Sequence, residues 1–269
     1  MYLNIWRSMV TCTYSQMTKY KVTFFASLFN IIVKIVAMAM VWKSIYAQNI
    51  VEFQLTLKQM LIYSTMSIAL SQCLTWWDGP HYYALESIQS GTVILDILKP
   101  ISFPLQLLLR GSSEFVLNIF VYTIPTILVG IALLQINFST NVINIFLLFI
   151  ALICSYLILF EFQLILTFIS IRTLELNGII HFFHAIVMLL SCQIIPIGMY
   201  PAFIQNIINT LPFKYVFYFP LSILTSDKPF DTKIFIITLV SEVLWMIIIG
   251  IICTLMWKKN KRIICIQGG

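Results

Sequence analysis

The stretch VINIFLLFIALICSYLILFEFQLILTFIS, residues 142–170, carries one formal charge, Glu161, in a run of otherwise apolar and small polar side chains. A helix rises about 1.5 Å per residue, and roughly 20 predominantly apolar residues span the hydrocarbon of a bilayer. This stretch is long enough to do so. Working outward, the whole 269-residue chain is 60% hydrophobic and only 10% charged, with a mean hydropathy of +0.96. A soluble domain covers itself with about a quarter charged residues. Here there is too little charge to coat a surface that faces water. Lipid is the alternative solvent, and in lipid each helix must satisfy its own backbone groups. The expected fold class is all-α, a polytopic membrane protein forming one transmembrane domain over residues 1–269.

Five further runs read as spans: residues 22–42, 59–77, 115–134 (extended upstream by the apolar residues 103–109), 178–199 and 234–257. With 142–170 the expected count is six. Residues 200–231 are apolar in part, but Pro201, Pro212 and Pro220 cut them into pieces too short to cross. They read as a re-entrant or broken segment on the outer side, with its irregular backbone shielded by protein. At the other end, Tyr2, Ile5, Trp6, Met9, Val10 and Tyr14 share one helical face, with Arg7 and Lys19 able to reach headgroups. Residues 1–20 are therefore expected as an amphipathic helix lying on the inner leaflet. They lack the short apolar core and small-residue cleavage site of a signal peptide.

Cations orient the chain. With the N-terminus in the cytoplasm, the inner side holds Arg7, Lys19, Lys21, Lys99, Arg110, Arg172, Lys258, Lys259, Lys261 and Arg262, ten in all. The outer side holds five, Lys43, Lys58, Lys214, Lys228 and Lys233, while Lys34 falls inside a span. Both termini are expected in the cytoplasm, which requires an even number of crossings. The net charge of +6 is spread too thinly to make a basic stripe, so no nucleic-acid partner is expected.

The chain carries no GxxxxGK[ST] phosphate loop, HExxH, GxSxG or GxGxxG. It is not expected to be an enzyme, and no catalytic residue is assigned. His181 and His184 stand three apart without a carboxylate or cysteine at ligand spacing, and no metal site is expected. The six cysteines, Cys12, Cys73, Cys154, Cys192, Cys253 and Cys265, contain no CxxC and read as small hydrophobes.

Charges inside spans are costly and mark either a substrate path or a packing lock. Lys34, Glu161 and Glu242 are the three. Lys34 lies about 18 Å into the first span, and Glu242 about 12 Å into the last from the opposite face. The two depths meet close to the midplane, so a Lys34–Glu242 pair is geometrically possible. Glu161 lies nearer the cytoplasm, within reach of headgroups or Arg172.

Between the second and third spans runs WWDGPHYYALESIQSGTVILDILKPISFPLQLLLRGSSE, which holds Asp78, Glu86, Asp96, Lys99 and Arg110. A short helix is expected over residues 84–90, ended by Gly91, with Pro100 and Pro104 punctuating the chain beyond it. A short helix held under the membrane by rigid flanks suits docking to a cytoplasmic partner.

The run from Ile88 to Ser102, IQSGTVILDILKPIS, resembles the loop signature of ABC-2 type permeases, the membrane subunits of bacterial ABC exporters. The resemblance extends to the amphipathic start, the six-span layout, the Pro-rich outer segment and the basic tail ending in Gly268 and Gly269. It implies an N-terminal elbow helix, two permease subunits (identical or paralogous) and two copies of an ABC ATPase beneath. ATP and magnesium would be bound by that partner, and this chain would need no cofactor. The inner loop, residues 78–102, would carry the coupling helix at about residues 82–91. Tyr82, Tyr83, Glu86, Ser90 and Gly91 would meet the ATPase, and Gly91, Asp96, Lys99 and Pro100 would form the motif. Gln89 stands where an arginine is common, and Lys99 replaces a frequent arginine, which keeps the charge but loses the bidentate fork. The location implied is the bacterial plasma membrane. A secondary transporter or channel working without an ATPase is the alternative; it should show matching interrupted spans in two halves, and no convincing internal repeat is present.

Overall fold

Backbone that must satisfy itself in lipid forms helices, and helix is the only regular structure among the described residues. The computed structural model describes every residue except 1, 20, 49–54, 76–78, 136–140, 174–176, 226–229 and 268–269. Side chains at 2, 16, 18, 21, 23, 172, 173, 177 and 262–267 are also outside the description. Asp78, Lys228, Gly268 and Gly269 therefore lie outside the described residues, as do the side chains of Tyr2, Lys21, Arg172, Arg262 and Cys265.

The chain order is α1 (Tyr2–Lys19), α2 (Lys21–Ala47), α3 (Leu57–Cys73), α4 (Pro80–Gln89), α5 (Val93–Ile97), α6 (Phe103–Asn118), a π turn (Ile119–Thr123) and α7 (Ile124–Leu134). Next come α8 (Val142–Thr173), α9 (Asn177–Leu190), a 3-10 turn (Ile197–Met199), α10 (Ala202–Thr210), a second 3-10 turn (Pro212–Tyr215), α11 (Tyr218–Thr225) and α12 (Thr232–Gln267). Among the described residues, four helical stretches are long and apolar enough to cross a membrane: Phe24–Ala47, Phe103–Leu134, Val142–Ile171 and Thr232–Lys261. The expected second and fifth spans fall on shorter helices, α3 with 17 residues and α9 with 14.

Local chemistry sets these boundaries. Thr56 caps α3 by accepting from the Gln59 N–H, while the Gln59 side chain accepts from the Thr56 N–H at 3.0 Å, a reciprocal capping box. The helix from Phe103 to Leu134 contains Pro125, which has no N–H to donate to the carbonyl four residues back. The chain absorbs this with the π turn: the Ile124 N–H reaches Ile119, and the Thr126 hydroxyl donates to the Tyr122 carbonyl at 2.7 Å. α9 stops at Leu190, and Cys192 adopts φ 59°, a left-handed conformation that ends the helix well short of the expected residue 199.

α3 is the centre of the molecule. Met60, Tyr63, Met66, Ala69 and Leu70 are all buried. α2 and α7 flank it, and Gly130 of α7 lies against Thr65 so closely that an added Cβ would sit 2.3 Å from the threonine methyl. α8 and α12 form the other large pairing. The Phe230 N–H donates to the Asn144 side chain at 2.9 Å, the Cys253 thiol to the Glu161 carbonyl at 3.6 Å, and the Asn260 amide to the Phe168 carbonyl at 2.7 Å. Residue numbers rise together along both chains in these contacts, so the two helices run parallel. Ile236, Ile237, Val240, Leu244, Ile247 and Ile251 of α12 remain exposed, an apolar face that suits lipid. α1 is tied to α6 by the Trp6 indole N–H, which donates to the Ser112 hydroxyl at 3.1 Å.

The broken segment between α9 and α12 is held by hydroxyls from the long helices. Tyr63 and Ser67 of α3 donate to the carbonyls of Cys192 and Gln193. Ser155 of α8 donates to the Tyr215 carbonyl at 2.8 Å, and the Tyr218 N–H returns to the Ser191 carbonyl at 3.0 Å. Carbonyls freed by the break are thus satisfied within the protein.

Candidate functional site

Gly79 opens the loop between α3 and α6 in a tight spot: a Cβ there would lie 2.6 Å from Nε2 of Gln163, which would have to move aside. That same Gln163 amide donates to the Thr75 carbonyl at 2.9 Å and pins the loop to α8. Pro80 then occupies the first turn of α4, where its missing N–H costs nothing. The helix consequently begins four residues earlier than the expected residue 84. It closes as read from the sequence, with Gly91 at φ +74° just beyond it.

α4 has two faces. Pro80, His81, Ala84 and Leu85 are buried, against α8 and α6. Glu86, Gln89, Ser90 and Gly91 are exposed, while Tyr82 and Tyr83 are half-buried. Asp96, itself buried, gathers the rest of the motif. It accepts from the Tyr83 hydroxyl at 2.8 Å and from Lys99 Nζ at 2.6 Å. The Gln106 side-chain amide donates to the Asp96 and Ile101 carbonyls at 2.7 and 2.8 Å. Arg110 lays its guanidinium 4.0 Å from the centre of the Tyr83 ring and approaches Glu114 at 3.5 Å. Tyr83, Asp96, Lys99 and Arg110 thus meet in one network. Pro100 lies on the surface beside Leu95 and Leu98, which are 63% and 75% exposed. Sequence reasoning passed over both leucines, because an apolar residue next to a helix looks like core. Their position two and five residues before Pro100 was the available signal.

His81 is buried on the inward face of α4. Burial pushes its imidazole down to about 3, and His184 adds to the shift. A histidine held neutral in the fold but free to protonate when unfolded loses stability as pH falls through its unfolded value near 6.5. Taking the pH from 7 to 5 is expected to cost about 2 kcal/mol through this residue alone. Thermal unfolding of the purified chain at the two pH values, with and without His81→Asn, checks this: the acid sensitivity should shrink in the variant.

The three intramembrane charges are not brought together. Lys34 is exposed on α2 and lines a cavity of about 320 Å³ with Ser71, Gln72, Thr75, His184 and Gln193. Glu161 lines a second cavity of about 290 Å³, walled by α6, α8 and α12 and including Phe160, Phe168 and Trp257. Glu242 is fully buried on α12, and neither of its carboxylate oxygens has a hydrogen-bond partner among the described residues. The expected Lys34–Glu242 pair is not formed. Lys99–Asp96 and Arg110–Glu114 are the ion pairs among the described residues. Depth along a span fixes height only, and α2 packs on α3 and α7 whereas α12 packs on α8. The expected reach of Glu161 to Arg172 involves a side chain outside the description. Ser71, Gln72, Thr75 and Gln193 went unremarked in the sequence, where uncharged polar residues in a span are easily passed over.

The described residues thus present long apolar helices, a cavity with polar and apolar walls, and a braced loop. Over residues 28–268 the chain matches the family described as ABC-2 family transporter protein. It belongs to that family. The match takes in most of α2 and everything after it, including the whole inner loop. A search of curated proteins finds no match. As an ABC-2 permease the chain is a multi-pass membrane protein and a transport component, and membership implies association with an ABC ATPase.

Proposed function

We propose that this chain is the membrane subunit of an ATP-driven ABC exporter, forming half of the substrate pathway beside a second permease, with two ATPase subunits beneath. The observation that carries the reading is the inner loop. Its inward side is fixed to α6 and α8, whereas Glu86, Gln89, Ser90, Leu95 and Leu98 are uncovered. A charged and polar helix face beside two exposed leucines makes a surface for a protein partner. The chain lacks a phosphate loop, so ATP and magnesium belong to that partner.

Six crossings, with both termini in the cytoplasm of a bacterium and α1 as an elbow on the inner leaflet, complete the reading. Its support is directional. Parallel α8 and α12 require one return crossing between them, and α9 with the broken outer segment is the available chain. α3 runs opposite to α7, since Thr65 faces Gly130 and Cys73 faces Thr123. The second permease is supported by α2, which leaves Asn30 and Lys34 exposed at spanning depth. An ammonium facing lipid there costs about 2.5–3.5 kcal/mol, so another subunit or a watery path must cover it.

Cross-linking tests the docking surface. In a Cys12→Ser background, Glu86→Cys should cross-link strongly to the co-expressed ATPase. Strong cross-links from the segment near Arg172 instead, with none from position 86, would place the motor elsewhere.

A further inference from the structure

α2 buries one narrow stripe, Ile31, Ile35, Ala39 and Trp42, and leaves its other sides uncovered. Lys34 sits beside that stripe and reaches the 320 Å³ cavity between α2, α3 and α9. Among the described residues no aspartate or glutamate lines this cavity; its polar wall is made of hydroxyl, amide and imidazole groups, and its apolar wall includes Leu74, Leu159, Val187 and Phe217. Nor can a carboxylate swing in from the neighbouring helix. Leu159 lines this cavity, and residues on a helix turn about 100° each, so Glu161 points to the far side of α8. It does so, lining the separate cavity with Trp257. Glu242 is sealed against α8. The one formal charge in the cavity is therefore positive and has no ion-pair partner among the described residues.

A cavity of this size holds a small headgroup, and a mixed wall accepts a polar end together with the start of an apolar tail. We propose that it takes the anionic headgroup, a carboxylate or phosphate, of an amphipathic molecule, with Lys34 as its counter-ion and Gln72 and Gln193 beside it. This deepens the permease reading and rests on it only for the conclusion that the occupant is carried. The charge preference rests on the cavity itself. Two sources supply such a headgroup: a lipid of the surrounding bilayer and a transported solute.

The test uses the full-length chain in phosphatidylcholine nanodiscs and two fluorescent probes of equal tail length, an alkyl phosphate and an alkyltrimethylammonium. The phosphate should bind at least tenfold more tightly. Lys34→Gln should remove that preference and Lys34→Arg should keep it. Gln72→Glu, which puts a negative charge in the cavity, should also remove it, and serves if Lys34→Gln does not fold. Equal binding of the two probes, or a preference that survives both the folded Lys34→Gln and Gln72→Glu proteins, overturns the proposal. Where the preference holds, phosphatidylglycerol discs separate the sources: competition with the probe identifies a bilayer lipid, and no competition identifies a solute. Binding is measured without an ATPase. Absence of a copurifying ATPase would thus count against the coupled permease alone, and loss of charge preference against this site alone.

Discussion

Replacing Asp96 with alanine is expected to dismantle the inner loop, lowering the stability of the chain by about 2–3 kcal/mol and transport by at least tenfold. Asp96 is buried and holds two donors that belong to different turns, Tyr83 from α4 and Lys99 from the segment after α5. A hydrogen bond to a charged group is worth about 1.5–3 kcal/mol where it is protected. The Tyr83 bond meets that condition. The Lys99 bond meets it less well, since that side chain is 55% exposed, and water reduces such a pair to about 0–1 kcal/mol. Lys99→Met should accordingly cost much less than Asp96→Ala. Asp96→Asn should fall between them, because it keeps an acceptor for Tyr83. Thermal unfolding of the purified chain ranks the three variants, and transport per ATP hydrolysed in the reconstituted complex reads the coupling. Equal effects of Asp96→Ala and Lys99→Met would show that the surface pair, and not the buried bond, holds the loop.

Gly130→Ala is expected to destabilise the chain by about 1–3 kcal/mol, the usual cost of overpacking. The new Cβ would meet the Thr65 methyl at 2.3 Å, and Thr65 is buried on the most enclosed helix of the molecule, where little can give way. The clash has a single named atom, so it has a single remedy. Thr65→Ser removes the methyl and keeps the hydroxyl, and the double variant should recover most of the lost stability in a thermal melt. Additive losses in the double variant would mean that α3 and α7 are held apart by something other than this contact.

How far these features were legible depended on whether they are local. The run around Glu161 announced a spanning helix because that glutamate is the one formal charge over its length. Gly91 announced the end of α4 because the required left-handed conformation is a property of that residue. Asp96 and Lys99 were picked out by their motif, yet the bond from Tyr83 joins residues thirteen apart across a turn, and no helical or strand period reports it. The Lys34–Glu242 pairing failed for a related reason. Counting residues along two helices yields two heights, and neighbours are decided by rotation and packing order, which a hydropathy pattern does not contain. α3 was expected to continue to residue 77 and α9 to residue 199 on apolarity alone. Both stop sooner, α9 at Leu190 with Cys192 left-handed just beyond it, before Pro196 would have ended it.

α3 also has a mechanical consequence. It is tied to two different parts of the molecule: just past its C-terminal end Thr75 is clasped by Gln163, and in its N-terminal two-thirds Tyr63 and Ser67 hold the carbonyls of Cys192 and Gln193. With residues 60–67 wholly enclosed, it works as a push-rod rather than a wall. A displacement delivered at the Thr75 end is expected to reach the break after α9 with little slack. Those two hydroxyl bonds, with the packing of α11 on α3, couple the broken segment to the helix.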